Sequence, residues 1–202
     1  MKRKNFIFAL FILIFTFLTI KGFAYSTDPK EFIAEIVVDA KKILIKSNSK
    51  ELKTKKLSEI ALKTVDIKGI GSYTLGRYRK EFDTNELEKY YVLFEKYFLK
   101  SFTSRLSDYS DPKIEVISSE ILNPKYTIVK SILLATDDKP EIKIDWRVYT
   151  KNPEKPLIRD LMIEGISLAK TQKEEFASII ESNNGDIKIL FQKLKEFIDK
   201  ND

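Results

Sequence analysis

Tyr90, Phe94, Phe98 and Phe102 recur every four residues, with Tyr91 and Tyr97 beside them and Leu106 continuing the row. Spacing of four places these rings on one face of an α-helix. The surrounding stretch, residues 75–109, reads LGRYRKEFDTNELEKYYVLFEKYFLKSFTSRLSDY. It holds five of the chain's nine tyrosines and four of its 14 phenylalanines. A few rings suffice to anchor a helix, so this many ask for a wide apolar surface opposite them, or for an apolar guest. The stripe alone does not choose between ordinary core and ligand wall.

Composition narrows the choice. A length of 202 residues suits one domain, or two small ones at most. The net charge of +6 owes four units to Lys2, Arg3, Lys4 and Lys21, in a stretch without acids, and the remaining chain carries +2. Its Lys and Glu are mixed, with no basic block beyond residues 53–56, so no nucleic-acid partner is expected. Histidine and cysteine are absent. That excludes a Ser-His-Asp triad, a thiolate nucleophile, His or Cys metal sites, disulfides and an acylated-cysteine anchor. No catalytic residue, metal or cofactor is expected; an enzyme would have to use carboxylates, Lys, Tyr, Ser or a bound cofactor.

Residues 1–24 read as an address. A positive start is followed by an apolar run over residues 6–20, interrupted only by Thr16 and Thr19. Small residues at Gly22 and Ala24, or at Ala24 and Ser26, fit a secretory signal peptide cleaved after Ala24 or Ser26. A membrane anchor needs about 20 apolar residues, and Lys21 ends this run early. The expected mature chain is a single periplasmic domain, residues 25–202.

Asp28 and Pro29 open a helix over residues 29–46, and a second follows over 51–64. Residues 65–76 carry Gly69, Gly71 and Gly76. A phosphate loop would need a Gly-Lys-Ser/Thr ending that is missing, so a turn between short helices is expected. A helical turn over residues 75–80 leads to the aromatic helix, capped by Asp83 or Thr84. After Asp111-Pro112 the pattern alternates. Strands are expected over residues 113–121, 126–136, 142–149 and 157–164, with a hairpin turn at 137–140. Gly165 breaks the last strand, Ser167 caps a helix over 168–180, and Asp186 caps a final amphipathic helix. The expectation is an α+β fold: a curved four-stranded antiparallel sheet, with N-terminal helices, the long aromatic helix and two C-terminal helices enclosing an apolar cavity.

Two blocks carry a family resemblance. One is Leu75-Gly76-Arg77-Tyr78 followed by the rings from Tyr90 to Tyr109. The other is Asp145-Trp146-Arg147-Val148 with Asp160-Leu161-Met162-Ile163-Glu164-Gly165-Ile166-Ser167-Leu168, then Gln172 and Phe176. Together they resemble the MlaC family of periplasmic phospholipid-binding proteins, also called toluene-tolerance proteins, across the whole mature chain. The chain departs from the family pattern at Arg79, where an aromatic is common, and at Pro156, where Trp is common. The resemblance implies a monomeric carrier that ferries diacyl phospholipid between an outer-membrane lipoprotein–porin complex and an inner-membrane ABC transporter with an MCE-domain subunit. Such a carrier maintains outer-membrane lipid asymmetry. Another apolar guest, such as a quinone or polycyclic lipid, would use the same fold.

A soluble lipid carrier needs an enclosed apolar wall. The expected lining is Tyr90, Phe94, Tyr97, Phe98 and Phe102 on the helix, and Ile144, Trp146 and Val148 on the third strand. Ile128, Ile132 and Leu134, sharing one parity of the second strand, and Leu161 and Ile163 on the fourth would extend it. Structural roles fall to Gly76, Arg77, Asp160, Glu164, Gly165 and Ser167, with an ion pair from Arg77 to Asp160 or Glu164. Asp160 and Glu164 would stand about 13 Å apart along a strand, too far for a glycosidase-type carboxylate pair.

Overall fold

The structure, a computed structural model, describes residues 25–47, 49–107, 109–136 and 140–200. The expected signal peptide and the turn at residues 137–139 lie outside the described residues.

Helix α1, Pro29–Lys46, starts where the Asp28 carboxylate accepts from the Lys30 and Glu31 amides. Helix α2, Lys50–Thr64, is capped by Ser49. Residues 65–76 hold more order than a turn. Asp66 caps α3, Ile67–Thr74, by accepting from the Gly69 amide. Gly71 lets α3 lie against the aromatic helix, since a Cβ there would stand 2.7 Å from the Phe94 ring. A 3-10 segment, Gly76–Glu81, leads into α4, Thr84–Ser107. The entry to α4 is a reciprocal cap: Asp83 accepts from the Glu86 amide and Glu86 from the Asp83 amide.

The sheet is a sequential antiparallel meander of β1 Ile114–Asn123, β2 Tyr126–Leu133, β3 Ile142–Tyr149, β4 Leu157–Ile163 and β5 Ile166–Ser167. Four strands were expected. The fifth, two residues long, forms because Glu164 and Gly165 (φ 50° and 79°) make the left-handed pair of a tight two-residue hairpin. A register shift between β3 and β4 makes Arg159 a bulge, so Ile158 and Leu161 face the same side although their numbering has opposite parity. Ser167 then caps α5, Leu168–Glu181, and α6 spans Lys188–Asp199.

Two apolar cores form. In one, α3, α4, α5 and α6 bury Tyr90, Phe94, Phe176, Ile180, Leu190 and Leu194. In the other, Phe32, Ile33 and Ile36 of α1 cover Val129, Val148 and Ile158 of the sheet. Each such side chain contributes about 1.5–3 kcal/mol by leaving water. Among the described residues no helix is long and apolar enough to cross a membrane.

Candidate functional site

Between the two cores lies a cavity of about 460 Å³. Its wall is mostly apolar. The sheet contributes Ile114, Leu133, Ile144, Trp146, Ile158, Leu161 and Ile163. Opposite stand Phe94, Tyr97, Phe98 and Phe102 of α4 and Leu168 and Ala169 of α5. The covering of the sheet explains why the space opens here. The first turns of α1 seal Val148 at one end of β3. Trp146 and Ile144, two and four residues back along the same face, border the cavity, Trp146 also packing against the α1–sheet core. Trp146 is held by its polar edge: its Nε1 donates to Ser131 Oγ at 2.8 Å, and Ser131 donates to the Ile144 carbonyl at 3.0 Å. The hydrogen bond sets the orientation of the ring along the wall.

The aromatic stripe of α4 divides into two parts. Tyr90 is fully buried, and its hydroxyl bonds Thr74 Oγ1 at 2.9 Å and donates to the Gly71 carbonyl at 3.2 Å. It is core and not wall, and burial pushes its phenol well above the usual tyrosine range. Phe94 belongs to both, stacked on Tyr90 at 5.7 Å and bordering the cavity. Phe98 and Phe102, stacked at 5.8 Å with planes 9° apart, are half-buried wall.

Several expected lining residues lie elsewhere. On β2 the cavity side carries Val129, Ser131 and Leu133, so Ile128 and Ile132 point to the other face. Leu134, past the strand's end, lines no part of the cavity, and Val148 is sealed beneath α1. The N-terminal helices were expected to help enclose the cavity, but none of their lining residues was named. Ile36, Ala40 and Leu44 of α1 and Leu57, Ile60 and Ala61 of α2 close the cavity from above. The buried row Leu57, Ala61 and Thr64, at helical spacing on an otherwise lysine-rich helix, was the available signal.

The expected pairing of Arg77 with Asp160 or Glu164 does not form. Arg77 donates to Glu181 Oε1 at 2.5 Å and to the Tyr78 hydroxyl at 3.0 Å. Asp160, 4 % exposed, accepts from Ser167 Oγ at 2.6 Å and the Ala169 amide at 3.0 Å, and pairs with Arg147 at 3.4 Å. It fastens the start of α5 to the sheet. Glu164 lies in the β4–β5 turn, where its carboxylate accepts from the Lys143 amide.

Five charged side chains border the cavity: Lys41, Arg105, Arg159, Asp160 and Glu175. Lys41 pairs with Asp111 at 3.1 Å. Arg159 pairs with Asp66 at 2.6 Å, donates to the Tyr126 hydroxyl at 3.0 Å and lies 3.5 Å over the Tyr149 ring. Tyr97 donates to Gln172 Oε1 at 2.7 Å, which ties α4 to α5 beside the cavity. Its phenol is pushed up by burial and by the Glu175 carboxylate, and pulled down by the Gln172 bond and by Arg105. Among the described residues no group of three acidic side chains could hold a metal ion.

The arrangement can hold an elongated apolar body against rings and aliphatic side chains. The same fold occurs in a phospholipid-binding protein from Ralstonia solanacearum, whose structure was solved in complex with a phospholipid. The match has a TM-score of 0.69 at 18% identity and covers 82% of this chain and 94% of that one. In sequence, the MlaC protein family matches residues 33–196, a span that includes the whole cavity wall and every buried core residue but Phe32. The chain belongs to the MlaC family.

Proposed function

We propose that this protein is a phospholipid carrier of the periplasm, exported by a signal peptide over residues 1–24. It takes lipid between an outer-membrane lipoprotein–porin complex and an inner-membrane ABC transporter with an MCE-domain subunit, and so maintains outer-membrane lipid asymmetry. It acts as a monomer and as a carrier, not as a catalyst. The observation that carries this reading is the apolar cavity of about 460 Å³. Its wall is mostly apolar, so an acyl chain that fills it leaves water at about 0.8 kcal/mol per methylene.

The volume also speaks to the guest's class. An engineered cavity of roughly 150 Å³ takes one benzene, about 25 Å³ per carbon. By that measure 460 Å³ takes about 18 carbons. One acyl chain fits the cavity as it stands, and a second requires the cavity to widen. Membership of the MlaC family and the phospholipid-bound relative of the same fold support the reading. Organic extraction and native mass spectrometry of the purified mature chain test it. Phospholipid released in near-stoichiometric amount is the expected result. An extracted quinone or polycyclic lipid would replace phospholipid as the guest.

A further inference from the structure

The basic block at residues 53–56 does not stand alone. Residues 41–63 hold eight lysines against Glu51 and Glu59, a net charge of +6. The chain from residue 25 onward carries +2 in all, so its remainder is net acidic. The excess lies on the last turns of α1 and on α2, which meet at a corner across residues 47–49. Lys41 pairs with Asp111 and Lys42 with Asp39. Among the described residues, Lys46, Lys50, Lys53, Lys55, Lys56 and Lys63 have no carboxylate within ion-pair distance. Lys50 and Lys53 occupy the start of α2, where the helix dipole favours acids. Helix stability therefore does not account for them.

Apolar side chains stand among these lysines. Ile45, Leu52 and Leu62 are 52%, 40% and 51% exposed. On α2, Leu52, Lys55, Lys56, Glu59, Leu62 and Lys63 follow helical spacing on the side away from the buried row of Leu57, Ala61 and Thr64. Lysines around exposed aliphatic side chains are the pattern of a helix face that lies on a lipid surface. The inner sides of the same two helices close the cavity through Ile36, Ala40 and Leu44 and through Leu57, Ile60 and Ala61. A helix is about 10 Å across, so the basic face is one helix thickness from the cavity.

We propose that the outward face of α1 and α2 docks on an anionic phospholipid bilayer, with its lysines on the phosphates and Ile45, Leu52 and Leu62 in the head-group layer. The contact brings the roof of the cavity against the membrane that supplies or receives the lipid. It goes beyond the carrier reading, because it stands on surface charge and exposure and needs no guest in the cavity. A purely acidic partner would meet the lysines and leave the three aliphatic side chains in water.

The test uses residues 25–202, so that the apolar run over residues 6–20 adds nothing to binding. The protein is sedimented with phosphatidylcholine vesicles containing about 30% phosphatidylglycerol, and with vesicles of phosphatidylcholine alone. Affinity for the anionic vesicles should be higher by about tenfold or more, and most of the difference should vanish as salt rises from about 0.05 M to about 0.5 M. Each lysine near such a surface is worth about fivefold in affinity, so Lys55→Gln with Lys56→Gln should weaken binding about 25-fold. Lys188→Gln with Lys195→Gln removes the same charge from exposed positions on α6 and should change binding by less than about twofold. Leu52→Gln with Leu62→Gln should weaken binding at both salt concentrations. Every variant should melt as wild type does, since all six positions are exposed. Ser101→Trp, which fills the cavity from its own wall, should bind vesicles as wild type does, so failure of the carrier reading and failure of the docking face are read separately. No preference for anionic vesicles, or equal losses from the α2 and α6 lysine pairs, overturns the proposal. Binding of soluble poly-glutamate without binding of vesicles also overturns it and assigns the face to an acidic protein.

Discussion

Filling the cavity from its own wall should abolish lipid loading without unfolding the protein. Ser101 is suited to this. It lies on α4 between Phe98 and Phe102, is half-buried and borders the cavity. Ser101→Trp replaces a hydroxyl by an indole, a net gain of about eight heavy atoms or roughly 200 Å³ at about 25 Å³ per atom. That is nearly half of the 460 Å³ available. It removes room for about eight methylenes, worth ~0.8 kcal/mol each, or about 6 kcal/mol of lipid affinity. Such a loss weakens binding by about four orders of magnitude. The ring occupies apolar space that was empty, so lipid-stripped Ser101→Trp should melt no lower than lipid-stripped wild type. Ser101→Ala is the control and should load normally. Co-purified lipid is counted by native mass spectrometry, and melting is followed by circular dichroism. A folded Ser101→Trp protein with wild-type lipid occupancy would refute the placement of the guest in this cavity.

The two halves of the aromatic stripe should respond differently to substitution. Phe94→Ala should destabilise the fold by about 3–5 kcal/mol, because Phe94 is core as well as wall. Phe98→Asp should chiefly empty the cavity, as measured by lipid content against urea midpoint. Trp146 is the only tryptophan and borders the cavity, so its emission should shift when delipidated protein is titrated with lipid. Asp160→Asn should cost about 3–5 kcal/mol in urea unfolding, because it leaves Arg147 without its buried partner and weakens the start of α5. Burial raises the folded-state pKa of Tyr90, so its contribution to stability is complete below the unfolded value of about 10. That contribution is lost as pH climbs above this value, and thermal melts of Tyr90→Phe should decline less steeply there than those of wild type.

The legible parts of the fold were those with a single apolar face. Phe32, Ile33 and Ile36 announce α1, and Ile144, Trp146 and Val148 announce the inner side of β3. Strand β2 misled because it is apolar on both sides. Ile128 and Ile132 read as plausibly as Val129 and Leu133, and only the position of α1 decides between them. On β4 the bulge at Arg159 breaks the simple alternation that parity arguments assume. The rings of α4 share one helical row, so spacing alone could not separate buried Tyr90 from wall-forming Phe98. That division depends on where α3 and α6 end against the helix. The partner of Arg77 lies 104 residues away at Glu181, beyond the reach of any local pattern. The roof from α1 and α2 was visible as two amphipathic faces, but nothing in those faces distinguishes packing on a sheet from roofing an empty space.

The central claim is that the space between the two cores is occupied by lipid in the working protein. Native mass spectrometry of the protein, purified without detergent from the cells that make it, addresses this directly. The account predicts a dominant species heavier than the polypeptide by the mass of a phospholipid, and a lipid-free species that appears on organic extraction and melts at lower temperature. A single lipid-free species that gains no mass and no stability from added phospholipid would contradict it.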